Sequence, residues 1–198
     1  MSEEDLLVEK KRILREYRAL LKNAKRELDD ADRLMIRKAF DLASEAHAPM
    51  RRKSGEAYIF HPLAVARIVS EEIGLGTTSI VCALLHEVVE DTEINLDDIE
   101  SLFGLRVAKI IDGLTKLRGA HFGENVSMQA ENFRKMLLTL SDDIRVILIK
   151  LSDRLHNMRT LESMRHDKQQ KIASETLYLY APLSHRLGLY NIKSEFED

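Results

Sequence analysis

Apolar residues recur at helical spacing through most of this chain, and strand-like alternation is confined to residues 58–60. Asp29 and Asn95 are placed to cap two of the helices, and Gly74 and Gly76 are placed to close another. Two glycines within residues 118–126 predict a loop. The chain therefore predicts an all-α fold. The expected helices cover residues 3–28, 30–47, 62–73, 80–93, 96–103, 105–117, 128–140, 142–161 and 168–187, the last with a kink at Pro182.

The stretch 80–93, IVCALLHEVVEDTE, begins apolar on both faces, which is typical of a buried helix. Its second half carries His86, Glu87, Glu90 and Asp91. Acidic side chains at a helix C-terminus repel one another and oppose the macrodipole, so a bound cation is the simplest missing partner. The alternative is a helix that runs into solvent with a polar last turn.

Two further residues suit a metal site. Asp153 continues an apolar row on the helix predicted over residues 142–161, so it either pairs with a base such as Arg154 or Arg159 or binds a metal. His61 lies at the start of the helix predicted over residues 62–73, where an imidazole can project into a cleft. Together with His86 and its acidic neighbour, these residues form a nitrogen and oxygen ligand set that suits Mn²⁺, Fe²⁺ or Zn²⁺ better than Ca²⁺.

Composition narrows the class of protein. The 198 residues are 44% apolar and 32% charged, which is ordinary for a globular domain. The formal charge of −3 argues against nucleic acid as the main partner. No apolar run approaches the roughly 20 residues of a membrane span, and the charged N-terminus lacks a signal core. With Cys82 as the sole cysteine, these features predict a cytoplasmic protein.

The motifs RKSGEAYIFHPL, HEVVEDT, RVILIKLSDRLHNMRT and ASETLYLYAPLSHRLGLYNIKSEFED extend over most of residues 40–198. In this order they resemble the HD-superfamily hydrolase domain of the bifunctional Rel/SpoT alarmone enzymes. The resemblance implies Mn²⁺-dependent removal of the 3′-pyrophosphate from ppGpp and pppGpp. It also implies an HD hydrolase domain over residues 29–187 and the start of a connection to a synthetase domain over residues 188–198. Before these, the apolar spacing predicts an N-terminal amphipathic helix as a separate segment over residues 1–28.

The resemblance further implies a role for particular positions. Four residues would bind the metal, two would activate water, and four would contact the guanosine nucleotide. These are His61, His86, Glu87 and Asp153 for the metal, Glu90 and Asp91 for the water, and Arg52, Lys53, Asn157 and Thr160 for the nucleotide.

One position departs from the family pattern. The motif that names the family is His-Asp, whereas this chain has His86 followed by Glu87, which is longer by one methylene. A working hydrolase is the favoured reading, because the other site residues are present. The alternatives are a catalytically weakened HD domain that binds guanosine nucleotide and regulates an adjoining synthetase domain, and a hydrolase of another phosphorylated nucleotide. Synthetase and regulatory domains of the same longer chain are the expected partners.

Overall fold

The computed structural model describes residues 3–118 and 143–198, and within these two ranges it is helical with no β-strand. The predicted all-α class is confirmed. Residues 58–60 lie in and after a turn, next to an isolated antiparallel bridge between Arg51 and Ala57. The α-helices are α1 (Glu3–Asn23), α2 (Asp30–Ala46), α3 (Phe60–Arg67), α4 (Thr77–Leu85), α5 (Val88–Asp91), α6 (Leu96–Phe103), α7 (Leu105–Arg118), α8 (Ile144–Arg159), α9 (His166–Glu175), α10 (Ala181–Arg186) and α11 (Tyr190–Glu197).

The chain divides into two compact units, residues 1–115 and 116–198. In the first unit α4 packs against both α2 and α3, and α1 packs along α3. Every residue of α4 from Ser79 to Leu85 is buried, which accounts for a sequence that is apolar on all sides. The centre of this unit is therefore a helix with no face in water.

Two helices of the first unit begin as the sequence predicts. The Asp29 carboxylate accepts from the amide of Asp32 at 2.8 Å, and the Asp32 carboxylate accepts from the amide of Asp29 at 3.2 Å. Asn95 and Asp98 form the same reciprocal pair at the start of α6. Each pair satisfies two backbone donors that a helix start leaves free, so these boundaries are set by local chemistry.

The predicted helix over residues 80–93 is wrong as a single helix. The α4 helix ends at Leu85, and the four-residue α5 begins only at Val88. The ring of His86 turns back to the carbonyl oxygen of Ala83, and Glu87 has φ −113° and ψ −5°. Glu90 and Asp91 consequently lie in the first turn of α5. At this end of a helix the macrodipole favours acidic side chains, so Glu90 and Asp91 do not need a cation to offset it.

Other helix ends also differ from the predictions. The α1 helix stops at Asn23, short of the predicted end at residue 28. The helix predicted over residues 62–73 continues from α3 into a π-helical segment, Ile68–Ile73, and ends at Gly74, whose φ of 84° suits a residue without a side chain. A second π-helical segment, Thr176–Tyr180, divides the helix predicted over residues 168–187 just before Pro182. Because Pro182 has no amide proton to donate, a regular α-helical ladder cannot pass through it.

In the second unit two arginines of α8 contact aromatic and acidic side chains of other helical segments. The Arg154 guanidinium lies over the Tyr180 ring at 4.3 Å, and Tyr180 meets Phe196 edge-on at 6.5 Å between centroids. Arg159 binds Glu195 at 2.6 Å, which ties α8 to α11. These contacts fix α8 within this unit.

Two predicted elements fall largely outside the described residues. Arg118 ends α7, and the rest of the loop predicted over residues 118–126 lies beyond that range, as does the helix predicted over residues 128–140. Within the described part of the chain, no helix is long and apolar enough to cross a membrane.

Replacing Tyr17 by alanine is expected to destabilise the first unit. Tyr17 is 6% exposed and its ring stacks on Phe40 at 4.4 Å, so the substitution leaves a cavity between α1 and α2 and costs about 3–5 kcal/mol. Urea unfolding followed by circular dichroism measures the change. Leu14→Ala on the same helix is the control, because Leu14 is 38% exposed and should cost less than about 1 kcal/mol. Equal losses in the two variants would show that α1 does not pack as described.

Candidate metal centre

Two buried histidines face each other in the first unit. His61 lies in the first turn of α3, and His86 directly follows α4. They are 1% and 5% exposed, and their ring centroids lie 5.2 Å apart. One ring nitrogen of each lies within 4.8 Å of the other. Packing of α3 against α4 thus brings together two of the predicted metal ligands.

The tautomer of His86 follows from its backbone contact. Its Nδ1 lies 2.8 Å from the carbonyl oxygen of Ala83, and a carbonyl oxygen can only accept. Nδ1 therefore carries the proton, and Nε2 presents a lone pair. This is how metal-binding histidines are commonly oriented in proteins. Nε2 is the ligand atom that His86 offers.

The carboxylate of Glu87 reaches both imidazoles. Its Oε2 lies 3.6 Å from Nε2 of His61 and 3.8 Å from Nε2 of His86. These distances are too long for hydrogen bonds. They are close to the separation of about 3.4 Å between two ligand atoms that each lie about 2.1 Å from a tetrahedral ion. The longer side chain of glutamate therefore still places an oxygen where it can share an ion with the two histidines.

Tyr58 joins this group, and sequence reasoning missed it. Its hydroxyl donates to Oε2 of Glu87 at 2.7 Å and contacts Oδ2 of Asp91 at 3.2 Å. Burial raises the pKa of Tyr58, and the charges of Glu87 and Asp91 raise it further. The hydroxyl therefore keeps its proton, which it donates to Glu87 at the shorter of the two distances. Its position three residues before His61 was the available signal, but the contact spans 29 residues of sequence.

His47 packs against one face of the Tyr58 ring. The two rings stack at 4.8 Å with 25° between their planes, and Nδ1 of His47 lies 2.9 Å from the carbonyl oxygen of Ala43. Burial lowers the pKa of His47, although the Ala43 carbonyl and the carboxylates of Glu87 and Asp91 act in the opposite direction. His47 is thus held neutral beside the site.

The predicted nucleotide-binding residues Arg52 and Lys53 lie on a tight turn just before Tyr58. The amide of Arg52 donates to the carbonyl of Glu56 at 2.9 Å, and the amide of Gly55 donates to the carbonyl of Arg52 at 2.8 Å. Gly55 has a φ of 88°, which disfavours any other residue there. The turn therefore presents Lys53 to solvent in an ordered backbone.

Helix α1 contacts the same turn. Arg12 binds Glu56 at 2.8 Å and lies over the Phe60 ring at 4.5 Å, and Glu9 pairs with Arg51. These contacts bracket the turn on both sides. The N-terminal helix and the RKSGE segment are thus parts of one packed unit.

In the second unit Asp153 is buried on α8 between two donors. Lys150 Nζ lies 2.8 Å from its Oδ2, and the side-chain amide of Asn157 donates to its Oδ1 at 2.7 Å. Burial opposes the charge of Lys150, but the Asp153 carboxylate raises the pKa of Lys150 overall, with help from Tyr180. Sequence reasoning missed Lys150.

The arginines that the sequence suggested as partners of Asp153 contact acids of their own. Arg154 binds Glu175 at 3.1 Å and Arg159 binds Glu195 at 2.6 Å, whereas the ion pair seen for Asp153 is with Lys150 at 2.8 Å. Successive side chains of α8 are rotated by about 100° around the helix axis, so the lysine three residues earlier lies on the same face as Asp153.

The two predicted site residues not yet described are Thr160 and Glu90. Thr160 ends α8, where its hydroxyl donates to the carbonyl of His156 at 3.0 Å. Glu90 lies on α5, partly exposed, one residue before Asp91. Within the first unit the fold thus gathers His61, His86, Glu87 and Asp91, and within the second it joins Asp153 to Asn157.

A family model described as an HD domain matches residues 39–190. The chain belongs to the HD-domain family. It is 51% identical over 163 residues to the bifunctional (p)ppGpp synthase/hydrolase SpoT of Escherichia coli K12, which covers 82% of this chain and 23% of the relative. It is 48% identical over 163 residues to the guanosine-3′,5′-bis(diphosphate) 3′-pyrophosphohydrolase of Aquifex aeolicus, with the same coverage.

Two further similarities agree with this assignment. GTP pyrophosphokinase rsh of Brucella ovis is 42% identical over 186 residues, covering 94% of this chain and 24% of the relative. A solved structure of a metazoan orthologue of SpoT, described as hydrolysing ppGpp, matches with a TM-score of 0.59 and 28% identity over 71% of this chain and 80% of that one. The chain spans about a quarter of the length of these bacterial relatives.

The lowered pKa of His47 gives the HD domain a specific pH dependence. The folded state holds His47 neutral, whereas the unfolded chain binds a proton there below about pH 6.5. Its contribution to stability is therefore complete above that pH and is lost as the pH falls below it. His47→Gln should make the acid loss of stability shallower, measured by urea unfolding with the metal chelated. His166→Gln, at an exposed position, should keep the wild-type profile.

Lys150→Met should destabilise the HD domain by leaving the Asp153 carboxylate buried without its cation. We expect a loss of about 3 kcal/mol near neutral pH, which becomes smaller in acid as the carboxyl takes up a proton. Urea unfolding at two pH values tests this. Lys168→Met on α9 removes an exposed lysine and should cost less than about 0.5 kcal/mol. A loss that does not decrease in acid would mean that Asp153 is not the group affected.

Proposed function

We propose that this HD domain hydrolyses the 3′-pyrophosphate of ppGpp and pppGpp, giving GDP or GTP and pyrophosphate, in the cytoplasm. The observation that carries the proposal is the approach of Glu87 Oε2 to the Nε2 atoms of His61 and His86, at 3.6 and 3.8 Å. A relative that is 51% identical is named a (p)ppGpp synthase/hydrolase. The geometry supports a metal centre, and the relative supports the substrate.

The proposed ligands are His61, His86, Glu87 and Asp153. His61, His86 and Asp153 are buried, and each offers one ligand atom. We propose Mn²⁺ as the ion, although imidazole with carboxylate also suits Fe²⁺ and Zn²⁺. When bound, the ion would polarise a phosphoryl oxygen and stabilise the charge that develops there.

Glu90 and Asp91 are proposed to take the proton of the attacking water. They lie on α5, directly after the ligand pair His86 and Glu87, so the base and the ligand are set by one short segment. The contact of 3.2 Å from the Tyr58 hydroxyl holds one oxygen of Asp91 in place. Attack of the water oxygen at the phosphorus bonded to the ribose would break the bond from that phosphorus to the 3′-oxygen. The 3′-oxygen would take up a proton to give GDP or GTP, and pyrophosphate would be the other product.

The guanosine nucleotide is proposed to bind against the turn that carries Arg52 and Lys53. A guanidinium plane stacks on a base, and an ammonium group pairs with phosphate as a point charge. Asn157 and Thr160 are proposed to line the nucleoside pocket. Asn157 already donates to Asp153 at 2.7 Å, so substrate and ligand positions are adjacent on α8.

Glu87 favours a second candidate function. Glutamate in place of aspartate can weaken catalysis, and a weakened HD domain would bind guanosine nucleotide and regulate an adjoining synthetase domain. Two relatives are nearly four times as long as this chain and one is named as bifunctional, so synthetase and regulatory domains are the proposed partners. The distances from Glu87 to the histidines favour the hydrolase over this candidate.

Purified protein with Mn²⁺ should release pyrophosphate, and little inorganic phosphate, from ppGpp. Asp153→Asn removes a ligand charge at nearly constant shape and should lower turnover by more than about 100-fold. Both products are measured separately, together with the metal content of the protein. Asp167→Ala is the control, because Asp167 is exposed on α9 and pairs with the neighbouring Arg165.

The outcomes separate the candidates. Full activity of Asp153→Asn without metal would contradict the proposed hydrolase. Binding of ppGpp without turnover in any of Mn²⁺, Fe²⁺ or Zn²⁺, with turnover gained in Glu87→Asp, would support the regulatory candidate. Turnover of another phosphorylated nucleotide in preference to ppGpp would reassign the substrate.

A further inference from the structure

The side chain of Glu87 needs an external support to serve as a ligand. Glutamate has one more rotatable bond than aspartate, and fixing a flexible side chain costs conformational entropy. The backbone at Glu87 sits in the turn between α4 and α5, where no regular helix constrains it. Whatever holds its carboxylate beside His61 and His86 therefore contributes to the affinity for a metal.

The Tyr58 hydroxyl is placed to supply that support. It lies 2.7 Å from Oε2 of Glu87, the same oxygen that faces both imidazoles. Hydrogen bonds to a carboxylate are stronger than those between neutral groups, and this distance is short enough for a well-formed one. The same hydroxyl lies 3.2 Å from Oδ2 of Asp91, so one group contacts the carboxylates of both Glu87 and Asp91.

The ring of Tyr58 is itself held on both sides. His47 stacks on one face at 4.8 Å, and His61 meets the ring edge-on at 6.3 Å. The backbone is fixed as well, since the amide of Tyr58 donates to the carbonyl of Met50 at 3.3 Å and the amide of His61 donates to the carbonyl of Tyr58 at 3.0 Å. The hydroxyl is therefore the end of a rigid arm, which is what a positioning group requires.

We propose that Tyr58 is a positioning residue of the metal centre, whose hydroxyl holds Oε2 of Glu87 between the two histidines and ties it to Asp91. The inference rests on the proposed function for its link to catalysis, but the positioning itself concerns metal binding alone. In this chain the longer side chain of Glu87 and the Tyr58 hydroxyl that positions it act together. The role of Tyr58 is accordingly specific to glutamate at position 87.

Tyr58→Phe tests the proposal, because it removes the hydroxyl and keeps the stacked ring. The Mn²⁺ dissociation constant, measured by calorimetry on the full chain without nucleotide, should rise about 10- to 100-fold. The Mn²⁺ concentration for half-maximal ppGpp hydrolysis should rise with it. Tyr17→Phe is the matched control, since Tyr17 is also buried and stacked on an aromatic ring, and it should leave Mn²⁺ binding unchanged.

A second pair of variants distinguishes positioning from a general structural effect. In a Glu87→Asp background the shorter carboxylate is withdrawn from the hydroxyl, so Tyr58→Phe should change the Mn²⁺ dissociation constant by less than about twofold. An unchanged dissociation constant in Tyr58→Phe alone would overturn the proposal. Equal effects in the two backgrounds would also overturn it, because the hydroxyl would then not act through Glu87.

These results are independent of the substrate assignment. If the wild-type protein binds Mn²⁺ but does not hydrolyse ppGpp, the proposed function fails, whereas the calorimetric comparison still decides the role of Tyr58. If ppGpp is hydrolysed and Tyr58→Phe leaves the Mn²⁺ dissociation constant unchanged, the proposed function stands and the positioning role is rejected.

Discussion

The hydrogen bond between Nδ1 of His86 and the carbonyl oxygen of Ala83 is the contact on which the candidate metal centre depends. It lies where α4 ends, and it fixes which ring nitrogen of His86 is available to a ligand. The backbone then turns at Glu87 before α5 begins. A helix that continued through this point would carry His86 and Glu87 about 100° apart around its axis. The break lets both side chains face His61.

Burial makes an unpaired charge costly at the candidate metal centre. The α4 helix has no face in water, so a carboxylate placed at its end needs a donor or a cation. Glu87 receives a hydrogen bond from Tyr58, and in the second unit Asp153 receives one each from Lys150 and Asn157. Each unit thus supports one proposed metal ligand with its own donors.

The N-terminal helix belongs to the same structural arrangement, although the HD-domain match begins at residue 39. Arg12 contacts both Glu56 and Phe60, which flank Tyr58 in the sequence. The turn proposed to hold the nucleotide is therefore connected to α1 on its outer side. Through Tyr58 it is connected to Glu87 on its inner side. A change in α1 would act on the proposed substrate residues through packing, without contacting the metal centre itself.

The sequence by itself determined what depends on neighbouring residues. It predicted the all-α class, the capping pairs that begin with Asp29 and Asn95, and the end of a helix at Gly74, because caps and glycine turns act over three or four residues. The residue pattern singled out the histidines and acids of the candidate site, and the family resemblance gave them roles and added the nucleotide-binding residues. The tertiary structure decided the break after Leu85, the support of Glu87 by Tyr58, and the pairing of Asp153 with Lys150 in place of an arginine. The support of Glu87 by Tyr58 depends on where buried polar atoms find partners once helices pack, because the contact joins residues 29 apart, and a pattern of apolar positions does not record such partners. The break after Leu85 accompanies a local contact of the His86 ring with the Ala83 carbonyl, which the apolar pattern does not record either. The third is local, but α8 offers several bases near Asp153, and only the packing of Arg154 and Arg159 onto other acids leaves Lys150 as its partner.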